Sequence, residues 1–141
     1  MDIMTPTQRR KAMQSNRGRT GPERKLASLL WRAGHRFLTA DGFRKRRGIR
    51  FLGQPDLIFL RKRLIIFVDG CFWHGCHDCH DFVADCSQFW QDKIRGNAER
   101  DRRITLTLRR QGWKVVRVWE HDLRNQKGLL RTVGRLLNLL A

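Results

Sequence analysis

The hydrophobic pattern changes period several times along the chain. Leu26, Leu29, Leu30 and Ala33 recur at i, i+3, i+4 and i+7, the stripe of an amphipathic helix. Pro22 and Glu23 suit its first turn, and Gly34 suits its C-cap. Residues 39–50 (TADGFRKRRGIR) carry no stripe and read as a very basic loop or a hairpin edge. Asp56–Leu60 reads as a short apolar strand and Arg61–Arg63 as a tight charged turn. Leu64–Val68 is a second strand, and its unbroken apolar run predicts burial on both faces. Cys71–Cys86 reads as a loop dense in Cys, His and Asp. Ser87 is placed to cap a long helix that runs to about Gln111 and ends at Gly112. Trp113–Trp119 reads as a third strand, and Leu123–Leu140 as a closing amphipathic helix. Residues 1–20 are basic and polar, an arm with a short helix around Thr7–Gln14. The order α-β-β-loop-α-β-α predicts an α/β fold, a mixed sheet with helices on both faces. One domain is expected over residues 21–141, preceded by the arm.

Charge narrows the class of partner. Thirty Lys and Arg against 13 Asp and Glu leave a formal net charge of +17 on 141 residues. That excess points to a polyanion. Eight Phe and five Trp supply core material, which excludes intrinsic disorder. No apolar run approaches the roughly 18 residues of a membrane span. The basic N-terminal stretch is not followed by an apolar segment, so a secretory signal is not expected and the compartment reads as cytosolic.

Two sets of residues carry candidate chemistry. Asp56 opens one strand and Asp69 follows the next. A hairpin around Arg61–Arg63 would set both carboxylates at one sheet edge, where a hard cation such as Mg²⁺ finds oxygen ligands. Glu23 lies on the inward stripe of its helix and is a third acid for the same site, since an inward carboxylate is costly unless paired. His74, five residues past Asp69, suits proton transfer from water. Beside it, Cys71-x₄-Cys76-x₂-Cys79 places three thiolates at a spacing typical of zinc. His77, His80, Cys86 and His121 are candidates for the fourth ligand.

Six stretches in order carry a resemblance: RRKAMQSN (9–16), GPERKLASLL (21–30), GQPDLIF (53–59), FVDGCFWHGC (67–76), FWQDKIRGNAERDRR (89–103) and GWKVVRVWEHDL (112–123). Together they closely resemble the very-short-patch-repair (Vsr) mismatch endonucleases over nearly the whole chain. The resemblance implies a restriction-endonuclease-like fold of the PD-(D/E)XK superfamily. It implies Mg²⁺-dependent nicking of one strand, 5′ to the thymine of a T·G mismatch left by deaminated 5-methylcytosine. By that likeness Asp56 is the metal-binding aspartate, the Val68 carbonyl a further Mg²⁺ ligand, and His74 the group that activates water. Glu23 matches the helix glutamate near the metal-bound water. Asp69 stands at a position that is His or Asp among members. Cys71 stands where the superfamily usually has a lysine.

For zinc, the resemblance selects Cys71, Cys76, Cys79 and His121, with His77 and His80 as the alternatives to Cys79. Phe72 and Trp73 match aromatic wedges that enter the duplex beside the mismatch, and Met13 matches a methionine that intercalates from the other groove. Lys93 and Asn97, on one helix face, match a DNA-contacting pair. The implied setting is a monomeric, cytoplasmic, nucleoid-associated bacterial enzyme. Its partner is double-stranded DNA with a T·G mismatch. Mismatch-repair proteins and a DNA cytosine methyltransferase are the associated systems. The competing expectations are a nuclease of the same superfamily acting on another lesion or site, and a non-catalytic zinc-containing DNA-binding protein.

Overall fold

The longest unbroken apolar run of the sequence becomes the middle of the sheet. Leu64–Phe67 is buried on both faces, as such a run requires, within a strand that extends to Asp69. A computed structural model of the chain describes residues 21–71 and 88–141. The arm 1–20 and the loop residues 72–87, with Met13, Phe72, Trp73, His74, Cys76, His77, Cys79, His80, Cys86 and Ser87, lie outside the described residues.

In chain order the elements are α1 (Gly21–Arg32), α2 (Ala40–Arg47), β1 (Leu57–Phe59), β2 (Leu64–Asp69), α3 (Gln88–Arg110), β3 (Lys114–Trp119), α4 (Glu120–Arg124) and α5 (Gln126–Leu140). The sheet has three strands in the order β1-β2-β3. β1 pairs antiparallel with β2, the hairpin expected around Arg61–Arg63, and β2 pairs parallel with β3. The sheet is therefore mixed, as predicted.

Alternation along the strands sorts their side chains to two faces. Leu57, Phe59, Leu64, Ile66 and Val118 pack with Leu26 and Leu30 of α1 and Leu136 and Leu140 of α5. Ile58, Ile65, Phe67 and Val115 pack on the other face with Phe51 and with Leu108 of α3. Each such fully buried aliphatic side chain contributes about 1.5–3 kcal/mol.

Two expectations are corrected. Residues 40–47 form a helix rather than a loop or hairpin edge. The Thr39 side chain caps it by accepting from the Gly42 N–H at 3.0 Å, and Gly48, at φ 75°, closes it in the left-handed region. α2 buries none of its residues, so it has no apolar stripe to read. Its one acid, Asp41, accepts from Lys45, and that bond and charge hold its carboxyl below the usual range, with Arg44 adding to the effect.

The expected single helix over Leu123–Leu140 is two helices. Asn125 is at once the C-cap of α4 and the N-cap of α5, and its side chain accepts from the Gly128 N–H at 2.7 Å. The bend presses Gly128 against the Asp122 carbonyl, leaving no room for a Cβ. Asn125→Ala is expected to lower unfolding stability by about 1 kcal/mol. Gly128→Ala should cost more, by forcing the two helices apart. Denaturant midpoints of the two variants measure both effects.

Candidate functional site

The antiparallel hairpin brings the start of β1 beside the end of β2. Pro55 has no N–H for the ladder. Beyond it, the Val68 N–H is taken by a side chain, donating to Asp56 Oδ2 at 2.6 Å. The Asp56 backbone N–H donates in turn to the Ile66 carbonyl at 3.0 Å. The half-buried Asp56 carboxylate is thus fixed against the residue whose carbonyl was expected to share a metal with it.

Asp56, Val68 and Asp69 line one open groove of about 710 Å³, together with Arg50, Arg100 and Arg117. The groove reaches the loop before β1. There Gly53 has φ +77°, and a Cβ on it would stand 2.7 Å from Ile104 of α3 and 3.3 Å from the Phe67 ring. This is a position only glycine fills.

Asp69 is engaged differently from Asp56. Its two oxygens accept from Arg117 Nη1 at 3.0 and 3.1 Å, and the two side chains are only 7% and 21% exposed. Arg117 also donates from Nε to Thr105 Oγ1 at 2.7 Å and from Nη2 to the Asp101 carbonyl at 3.2 Å, and it lies 4.2 Å over the Phe67 ring. One guanidinium therefore ties β2, β3 and α3 together. Its charge offsets a carboxylate that would otherwise be buried at high cost.

Arg117, Thr105 and Asp101 were not singled out from the sequence. The signal was there: a lone arginine on an apolar strand stands opposite Phe67 in the parallel register, diagonal to Asp69 on the same face.

Glu23 is buried, as its place on the apolar stripe requires. It rides on α1, which covers the face opposite α3, and it is not among the groove-lining residues. Among the described residues no three His, Cys, Asp or Glu side chains converge to hold a metal. Asp56 and Asp69 share the groove. Lys93 and Asn97 lie one turn apart on α3, and Lys93 is 5.6 Å from the centre of the Trp90 ring.

On the β3 side the parallel ladder ends at Asp69 and Trp119, and just past it Cys71 meets His121 in the first turn of α4. Cys71 Sγ is 3.2 Å from His121 Nδ1, and His121 Nε2 is 3.3 Å from Asp122 Oδ1. Two ligands of one tetrahedral zinc stand about 3.5 Å apart, and a carboxylate on the other ring nitrogen is the usual support of a metal-bound histidine. The donor set thus fits two of the four zinc ligands named from the sequence.

Comparison with known proteins supplies the class. The family model described as DNA mismatch endonuclease Vsr matches residues 1–81. The DNA mismatch endonuclease Vsr of Escherichia coli (strain K12) is 40% identical over 112 residues, 78% of this chain and 67% of that protein. The type II nicking enzyme V.XorIIP of Xanthomonas oryzae is 38% identical over 142 residues, 99% of this chain and 96% of that protein. V.NaeI, a type II nicking enzyme of Lentzea aerocolonigenes, is 38% identical over 115 residues, 81% of this chain and 68% of its own length. The chain is therefore an enzyme, a DNA endonuclease, and the non-catalytic alternative falls away. The chain belongs to the DNA mismatch endonuclease Vsr family. No helix among the described residues is long and apolar enough to cross a membrane.

Arg117→Met should lower stability by on the order of 3 kcal/mol, because it leaves the Asp69 carboxylate buried without its cation. Adding Asp69→Asn should recover part of that loss. Urea unfolding of the single and double variants measures the difference.

Proposed function

We propose that this endonuclease nicks one strand of duplex DNA 5′ to the thymine of a T·G mismatch, by Mg²⁺-dependent hydrolysis of the phosphodiester. The observation that carries the reading is the Asp56 carboxylate held at 2.6 Å by the Val68 N–H inside a groove edged with arginine, in a chain of the Vsr family. Nicking enzymes among the relatives favour cleavage of a single strand. The fold is assigned to the PD-(D/E)XK superfamily, with residues 21–141 as the nuclease domain and 1–20 as an arm that orders on DNA.

Asp56 and the Val68 carbonyl are the groups that would hold Mg²⁺. When bound, Mg²⁺ supplies positive charge to the phosphoryl oxygens and the leaving oxygen. His74 takes a proton from the attacking water, and Glu23 orients water near the metal. Asp69, bound to Arg117, holds the end of β2 in place so that Val68 and Asp56 keep their alignment. Arg50 and Arg100, on the groove wall, attract the scissile backbone. Cys71, Cys76, Cys79 and His121 bind a structural zinc that fastens the loop to the ends of β2 and β3.

Phe72 and Trp73 wedge beside the mismatch and Met13 enters from the opposite groove. A mispaired step is easier to unstack than a matched one, so wedging discriminates in its favour. Lys93 and Asn97 contact the duplex. The enzyme acts as a cytoplasmic, nucleoid-associated monomer, alongside mismatch-repair proteins and a cytosine methyltransferase.

Asp56→Asn keeps an oxygen for the Val68 N–H but loses the charge. It should abolish nicking at every Mg²⁺ concentration while a T·G duplex still binds. His74→Ala should slow nicking by about 10²–10⁴-fold with binding retained. Nicking and binding assays on a panel of mismatched and matched duplexes test both variants and the T·G preference. Equal cleavage of all duplexes, or unchanged cleavage by Asp56→Asn, overturns the reading. Cys71→Ala should lose bound zinc by metal analysis and melt at lower temperature. Parent protein without zinc and an unchanged melting temperature would reject the structural zinc.

A further inference from the structure

A second open groove, of about 760 Å³, lies at the far end of β1 from Asp56. Its floor is apolar, built from Phe37, Phe59 and Leu140. Its charged walls are Arg36, Arg46, Arg47, Arg61 and Lys62, and among the described residues no acidic side chain lines it. A surface that served solubility alone would intersperse both signs.

α2 contributes residues both to this groove and to the approach to the candidate active site. The segment that leads into α2 runs beside β1, where the Leu38 and Ile58 backbones exchange hydrogen bonds at 2.9 and 2.8 Å. Arg46 and Arg47 of α2 face the far groove, and Arg44 lines a small hollow shared with Arg50. Arg50 in turn lines the groove that holds Asp56. The acid on this path, Asp41, is already bound by Arg44 and Lys45, at 3.0 and 3.1 Å. α2 packs Phe43 against Phe51 and leaves its last turn, Arg44–Arg47, exposed and wholly basic.

We propose that this far groove binds backbone phosphates of the same duplex, on the flank of the nicked site. The inference rests on the DNA endonuclease reading and extends its footprint. Arg61 lies in the hairpin turn five residues beyond Asp56, at most about 17 Å away even along a fully extended chain. At ~3.4 Å per base pair, a duplex lying along β1 meets it within about five base pairs of the nick. The contact reads no sequence. It adds affinity through counterion release and fixes which way the duplex lies along β1.

The test uses a double variant, Arg46→Gln with Arg61→Gln, in the full chain. Both residues are exposed, so the fold is kept, and a thermal melt checks it. Binding is measured on matched and T·G duplexes whose flank is shortened, on each side in turn, from about 12 to about 4 base pairs. The parent should lose affinity in a step as one flank falls below about five base pairs. The variant should show no step. On long duplexes its slope of log K against log salt should be shallower by about 2. An equivalent pair, Arg47→Gln with Lys62→Gln, should behave alike.

Variants that match the parent at every length, as a groove serving an acidic protein would predict, overturn the proposal. So does a loss of affinity that is equal at all lengths. Because the flank contact is blind to the mismatch, the step should appear on matched duplexes too. Loss of T·G preference with the step retained would sink only the reading of the nicked site.

Discussion

Both candidate chemical centres hang from the end of one strand. β2 is sealed between two apolar layers, so its backbone has no water to trade hydrogen bonds with and its register cannot slip without turning every side chain to the wrong face. That constraint carries outward to Val68, Asp69 and Cys71. Val68 fixes Asp56 on the antiparallel side, and Cys71 meets His121 on the parallel side. A strand with different kinds of neighbour can deliver two different kinds of site within a few residues, and this one does.

The Asp69–Arg117 pair shows how the end of such a strand can carry charge. A carboxylate at 7% exposure is tolerable only with close compensation, and Arg117 supplies it while also bonding to α3. Asp56 and Asp69 are therefore held differently. Asp56 accepts from the Val68 backbone N–H, whereas Asp69 accepts from the Arg117 guanidinium. Two carboxylates near each other in sequence need not share one task.

Much of this was legible from residue order. The strands, the long helix and the hairpin follow from apolar runs and from Gly and Pro at their ends, and the resemblance names both Cys71 and His121, which stand 3.2 Å apart. α2 was illegible because a short helix defined by its caps at Thr39 and Gly48, with Phe43 as its one large apolar contact, leaves no stripe. The break at Asn125 was hidden because apolar residues continue on both sides of it, and only the cap distinguishes two helices from one. Nothing in the spacing of Arg117 sets it apart from the chain's other basic residues. Its role depends on which residue lies diagonally across β2, and that is a property of register rather than of spacing.

Gly53 has a further bearing on the groove. With less than a methyl group's clearance to Ile104 and Phe67, the loop entering β1 and the flank of α3 lie in direct apposition. The two walls of the cleft must then shift together, as a single jaw. Its aperture toward a double helix is governed by a side chain that is missing, so a change in that aperture would have to begin elsewhere in the molecule.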